Sequence, residues 1–167
     1  MTFAFGHLIG AWLLGKGYEF CSKKKIGRFT WFFLLLGGIL PDIDFLISWT
    51  LDNPLHRTFT HSLFFIFIVS LLPSLIFLKD KEKITYALAL GTGIFMHLFL
   101  DLFSRQGVPL LWPNQLLFSY LRVGLYNPEF SLYSNVVAVK QIKLATIDMG
   151  LGTAWIFYLW FRKKIQF

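Results

Sequence analysis

Apolar runs set the architecture of this chain. Ser62–Leu78, Ile84–Phe103 and Leu144–Phe161 each approach or exceed the length that crosses bilayer hydrocarbon, about 17–25 residues as helix. Phe29–Leu51 is long but interrupted, and Phe3–Leu14 is short. Only 15% of residues are charged and 56% are hydrophobic, against about 25% charged in an ordinary soluble domain. These features predict an all-α, multi-pass transmembrane helical bundle. It is expected to be a single domain over residues 1–167, with about five membrane segments. No Lys or Arg precedes Lys16, so the basic start of a cleavable signal peptide is missing and residues 3–15 are expected to stay in the protein.

Charge gives the orientation. The net charge of +7 comes largely from clusters beside apolar segments: Lys16, Lys23, Lys24, Lys25 and Arg28, then Lys79, Lys81 and Lys83, then Arg162, Lys163 and Lys164. No basic helical face is present, so nucleic acid is not an expected partner. Anionic headgroups suit such clusters better. Placed in the cytoplasm, they put the N-terminus outside and the C-terminus inside a cell membrane. The connection 104–143 then becomes a long extracytoplasmic loop, expected to act as a lid or binding element. Within it Gln115–Leu125 is apolar enough to lie in the interface plane. Cys21 is the lone cysteine, which excludes an intrachain disulfide and a thiolate zinc site.

Ionisable residues in apolar segments are costly and therefore functional candidates. His7, Asp42, Asp44, His56, His61, His97 and Asp101 fall at one depth under this topology. Imidazole and carboxylate are ligands of borderline and hard divalent ions. His97 and Asp101 share a helical face, so they could bind one ion, or the carboxylate could orient the imidazole. Pro41 is expected to stop one helix near Gly38 and start another. Asp42 would then enjoy a first-turn position, and the break would let Asp44 converge with it around a cation. Thr58 and Thr60 are expected caps for the following helix. Arg57 is a candidate clamp for a phosphate oxygen or, equally, a headgroup anchor.

The early His7, Gly38-Ile39-Leu40-Pro41-Asp42-Ile43-Asp44, His56-Arg57-Thr58-Phe59-Thr60-His61-Ser62, His97-Leu98-Phe99-Leu100-Asp101 and Leu110-Leu111-Trp112-Pro113 carry a resemblance. In these elements the chain resembles the LexA-binding, inner-membrane-associated metal-dependent hydrolase family. The LexA association in that name is not carried over. The ligand order is also similar to the first part of the zinc-dependent phospholipase C and P1 nuclease pattern. By that likeness His7, Asp42 or Asp44, His61, His97 and Asp101 are the implied ligands. The later His and Glu of the pattern are missing, which implies one or two ions, zinc or manganese, instead of three. The implied activity is hydrolysis of a phosphoester or related bond in a lipid or lipid-linked substrate at the outer leaflet. Asp42, Asp44 or Asp101 would bridge metals or take a proton, and Arg57 would meet phosphoryl charge. A metal transporter or sensor using the same ligands is the alternative; the ligands' grouping near one face, without internal repeats, counts against it.

Overall fold

The structure is a computed structural model and describes residues 4–44, 58–103, 107–114, 116–119, 122–125, 147–148, 150–159 and 161–162. It is mostly helical. Helix α1 (Ala4–Ser22) ends where Lys23 takes a left-handed φ of 57°, the usual way a helix C-terminus turns off. Glu19 ties the next turn down: it pairs with Lys16 at 2.6 Å and accepts the Ile26 N–H at 3.0 Å. Helix α2 (Arg28–Ile39) stops before Pro41, and Leu40–Asp42 form a single 3-10 turn. The proline break expected near Gly38 falls one residue later.

The apolar run Ser62–Leu78 is two helices, α3 (Leu63–Ser70) and α4 (Leu72–Ile76). Pro73 causes the break, because it has no N–H to donate and its ring crowds the carbonyl four residues back. The cap of α3 is neither Thr58 nor Thr60. Ser62 fills it, accepting the Phe65 N–H at 3.1 Å and donating to the Phe59 carbonyl at 2.7 Å. Helix α5 (Lys83–Asp101) is central, and α6 spans Gly150–Leu159. The expectation of helix alone needs one amendment. Within Gln115–Leu125, strands β1 (Leu116–Ser119) and β2 (Arg122–Leu125) pair antiparallel, Leu116 opposite Leu125 and Ser119 opposite Arg122. Val108 bridges to Phe118, and Leu63 donates to the Leu110 carbonyl at 2.9 Å. These bonds fasten the hairpin beside the start of α3.

Helices α2 and α5 run parallel at very close range. Phe33 stacks on Tyr86 near their N-termini, and Gly37 faces Gly93 further along. A Cβ on Gly93 would stand 2.9 Å from the Gly37 Cα, so only glycine permits this approach. Gly91 abuts Ser70 of α3, so both glycines serve contacts within the chain. Helix α1 lies antiparallel: Gly15 meets Trp31 and Leu34, while His7 and Ala11 meet Gly38. One end of the bundle therefore gathers the start of α1, the ends of α2 and α5 and the start of α3. Lys16, Arg28 and Lys83 lie toward the other end.

Among the described residues one helix, Lys83–Asp101, is long and apolar enough to cross a membrane, with half of that window buried inside the fold. Leu63–Ile76 and Gly150–Leu159 are apolar but shorter. The outward stripe of α5, Ile84, Leu88, Phe95 and Phe99, is exposed, as are Phe67, Leu75 and Ile76 of α3 and α4. Soluble monomers rarely leave so much contiguous apolar surface uncovered.

Candidate metal centre

Six of the sequence-selected residues meet at the gathered end. His97 comes from the last turns of α5, and its Nδ1–H donates to the Gly38 carbonyl at 2.8 Å. A carbonyl cannot donate, so the tautomer is set and the Nε2 lone pair faces inward. The helix break frees that carbonyl: near the end of α2 the helical partner is missing. His7 stacks flat on His97, ring centroids 3.7 Å apart and 16° from parallel. Its Nε2 lies 3.7 Å from Asp101 Oδ1. Asp101 is one turn beyond His97 on the same face, and its Oδ2 lies 3.6 Å from His61 Nε2. The Gly38 carbonyl orients His97, and Asp101 reaches across to the other two imidazoles.

Asp42 and Asp44 take different sides of His61. Asp42 Oδ1 stands 3.7 Å from His61 Nε2 and 3.5 Å from His97 Nε2. Asp44 Oδ2 lies instead against His61 Nδ1, at 3.3 Å, and accepts the Thr60 hydroxyl hydrogen. Asp44 is therefore placed to hold the ring, while Asp42 is placed beside the two Nε2 atoms. Carboxylates that lock a liganding imidazole through its far nitrogen are a regular part of metal sites. His56 and Arg57 lie outside the described residues.

Burial makes the cluster costly. His7, His61, His97, Asp44 and Asp101 are all buried, and the Asp42 side chain, 27% exposed, opens the site to its surroundings. Burial alone would lower the His61 pKa, but Asp42 and Asp44 outweigh it and raise it. The environment thus favours positive charge at this point. His61 Nε2 and His97 Nε2 face each other at 3.4 Å. Two lone pairs at that separation repel unless a cation or proton lies between them. Tetrahedral zinc with Zn–N bonds of about 2.0–2.1 Å spaces its ligand atoms about 3.3–3.4 Å apart. Among the described residues two sets could hold a metal ion, His7 with His97 and Asp101, and Asp42 with His61 and His97, each with its ligand atoms within 4.8 Å of one another. The donor set and its spacing fit a divalent ion.

Two supporting groups escaped sequence reasoning. Thr60 is not a cap but the hydroxyl behind Asp44. Asp148, buried just before α6, accepts the Phe5 N–H at 3.1 Å and the Gly6 N–H at 2.7 Å in the first turn of α1. It sits inside the apolar run Leu144–Phe161, so the cost argument that selected Asp101 applies to it equally.

The model of the YdjM inner membrane protein family matches residues 1–165. The chain belongs to that family. Membrane association and an inner-membrane setting follow from it, in line with the inner-membrane part of the resemblance. The protein "Uncharacterized protein YvsG" of Bacillus subtilis (strain 168) is 34% identical over 110 residues, 66% of this chain. The matched part spans 59% of that relative's length. No solved structure matches the chain.

Proposed function

We propose that the protein is a membrane-embedded, metal-dependent hydrolase acting on a phosphoester or related bond of a lipid or lipid-linked substrate. The observation that carries this reading is the buried convergence of three imidazoles on Asp42 and Asp101, with His61 and His97 held by Asp44 and Gly38 from behind. Such a set is costly in an apolar scaffold unless a cation neutralises it. His7, His61, His97, Asp42 and Asp101 would hold one or two ions, zinc or manganese. When bound, such an ion supplies Lewis acidity and a nucleophile at neutral pH.

The chain's own residues do the rest. Asp42, the most open carboxylate of the cluster, accepts the proton released as water attacks. Arg57 stabilises the phosphoryl charge that develops. The connection 104–143 would limit water and shape access. With about five segments and the lysine-rich end in the cytoplasm, the site would lie at the outer headgroup level, where a lipid arrives laterally.

Elemental analysis of purified protein tests the first step: near-stoichiometric zinc or manganese is expected, lost in His97→Ala combined with Asp101→Ala. Metal-free protein from preparations without chelator would sink the reading. Holo-protein incubated with lipid extract should release phosphate or headgroup. Metal flux into liposomes with no lipid turnover would instead select a transporter.

A further inference from the structure

We propose that Asp148 is a positioning residue for His7. Helix α1 is described from Ala4, and the N–H groups of a helix's first turn have no partner within the helix itself. Asp148 caps two of them from the far end of the chain, one carboxylate oxygen for each of the Phe5 and Gly6 N–H groups. His7 is the next residue. The contact continues along α1: Gly152 lies flush on the Phe5 ring, where a Cβ would stand 2.8 Å from its Cδ2, and Trp155 and Tyr158 pack edge-on against Trp12. The C-terminal helix thus clamps α1 at its first turn and fixes the rotation at which the His7 imidazole stacks on His97.

The cap also suits the dipole, since an anion at a helix N-terminus is favoured. Loss of the cap frays the first turn, and His7, one residue in, is the ligand that moves; His61 and His97 have their own supports. Asp148 touches neither the ion nor substrate and acts only through His7.

This inference rests on the metal reading for its first measurement alone. Cobalt(II) binding to the full-length protein in detergent would be followed by visible absorption for wild type, His7→Ala, Asp148→Ala and Asp148→Glu. Asp148→Ala is expected to weaken cobalt about ten-fold, the scale of lost ligand support, and to shift the spectrum toward that of His7→Ala. Asp148→Glu keeps the charge but displaces it by a methylene and should fall between. Asp148→Asn loses the charge and one of the two acceptor oxygens, and should also fall between wild type and Asp148→Ala. The second measurement uses no metal: carbethoxylation of His7 relative to His97, read by mass spectrometry. His7 should react fastest in Asp148→Ala, with Asp148→Glu and Asp148→Asn between it and wild type. Wild-type protein that fails to bind cobalt counts against the metal reading, and the His7 reactivity then decides the positioning claim. Unchanged His7 reactivity in both Asp148→Ala and Asp148→Glu overturns it.

Discussion

Replacing Gly93 with alanine asks whether the glycine crossing of α2 and α5 is what seats His97. The added Cβ would collide with the Leu34 carbonyl oxygen and stand 2.9 Å from the Gly37 Cα and 3.0 Å from the Gly38 nitrogen. All three are backbone atoms, so no rotamer change relieves the clash. Carbon pairs rest at about 3.5–4.0 Å, and the helices must part by roughly 1 Å. Overpacking of that kind costs about 1–3 kcal/mol. The same displacement lengthens the His97–Gly38 hydrogen bond from 2.8 Å to roughly 3.8 Å, outside bonding range. Its loss adds about 1 kcal/mol. The expected destabilisation is about 2–4 kcal/mol, accompanied by weakened metal binding. Gly17 is the control, since a Cβ there meets nothing within 4 Å. Gly17→Ala should be neutral or stabilise by up to about 1 kcal/mol through helix propensity. Denaturant titration in micelles, followed by circular dichroism, measures both. Gly93→Ala as stable as wild type would refute the reasoning, because nothing else in the crossing can absorb a methyl group without backbone movement.

Asp44→Asn should lower metal affinity about 10–100-fold while leaving stoichiometry intact, as for other residues that orient a liganding imidazole. Asp42→Asn should lower the stoichiometry itself; equal effects from the two would show that they play the same part. Ser62→Ala removes the cap of α3 and a buried hydroxyl bonded on both sides, a loss of about 1–2 kcal/mol; chemical denaturation that gives an unchanged midpoint would contradict it. In a Cys21→Ser background, needed because Cys21 is exposed, an impermeant maleimide should label Asn114→Cys from outside intact cells. Lys81→Cys should label only after permeabilisation, and the reverse pattern overturns the orientation.

Features governed by local chemistry were legible in the sequence. The break at Pro41 is one, because a missing N–H acts within a single turn. The common face of His97 and Asp101 is another, because it needs only the helical repeat. The separation of lysine-rich and ligand-rich ends was legible too, since alternating segments carry every second connection to the same side. Features that depend on which element packs where were not. Pro73 stood in plain view, yet the unbroken hydropathy of Ser62–Leu78 hid the break it causes. The strands at Leu116–Ser119 and Arg122–Leu125 have a poor alternating pattern. Their support comes from Val108, which is distant enough to be invisible to periodicity.

The roles within the cluster show the boundary most clearly. Composition and spacing select His, Asp and their depth, but they do not say which nitrogen of His61 meets which carboxylate. That is decided by a 3-10 turn that sends Asp42 to Nε2 and lets Asp44 reach Nδ1. It is decided equally by a glycine contact that brings the Gly38 carbonyl within 2.8 Å of His97. Both are backbone events, and both place an acceptor behind an imidazole so that its Nε2 points inward. The division between residues that would face a bound ion and residues that would aim them therefore arises from two interruptions of regular packing, a proline and a pair of glycines. Moving either interruption by one residue would leave every candidate ligand in the sequence and still scatter the centre.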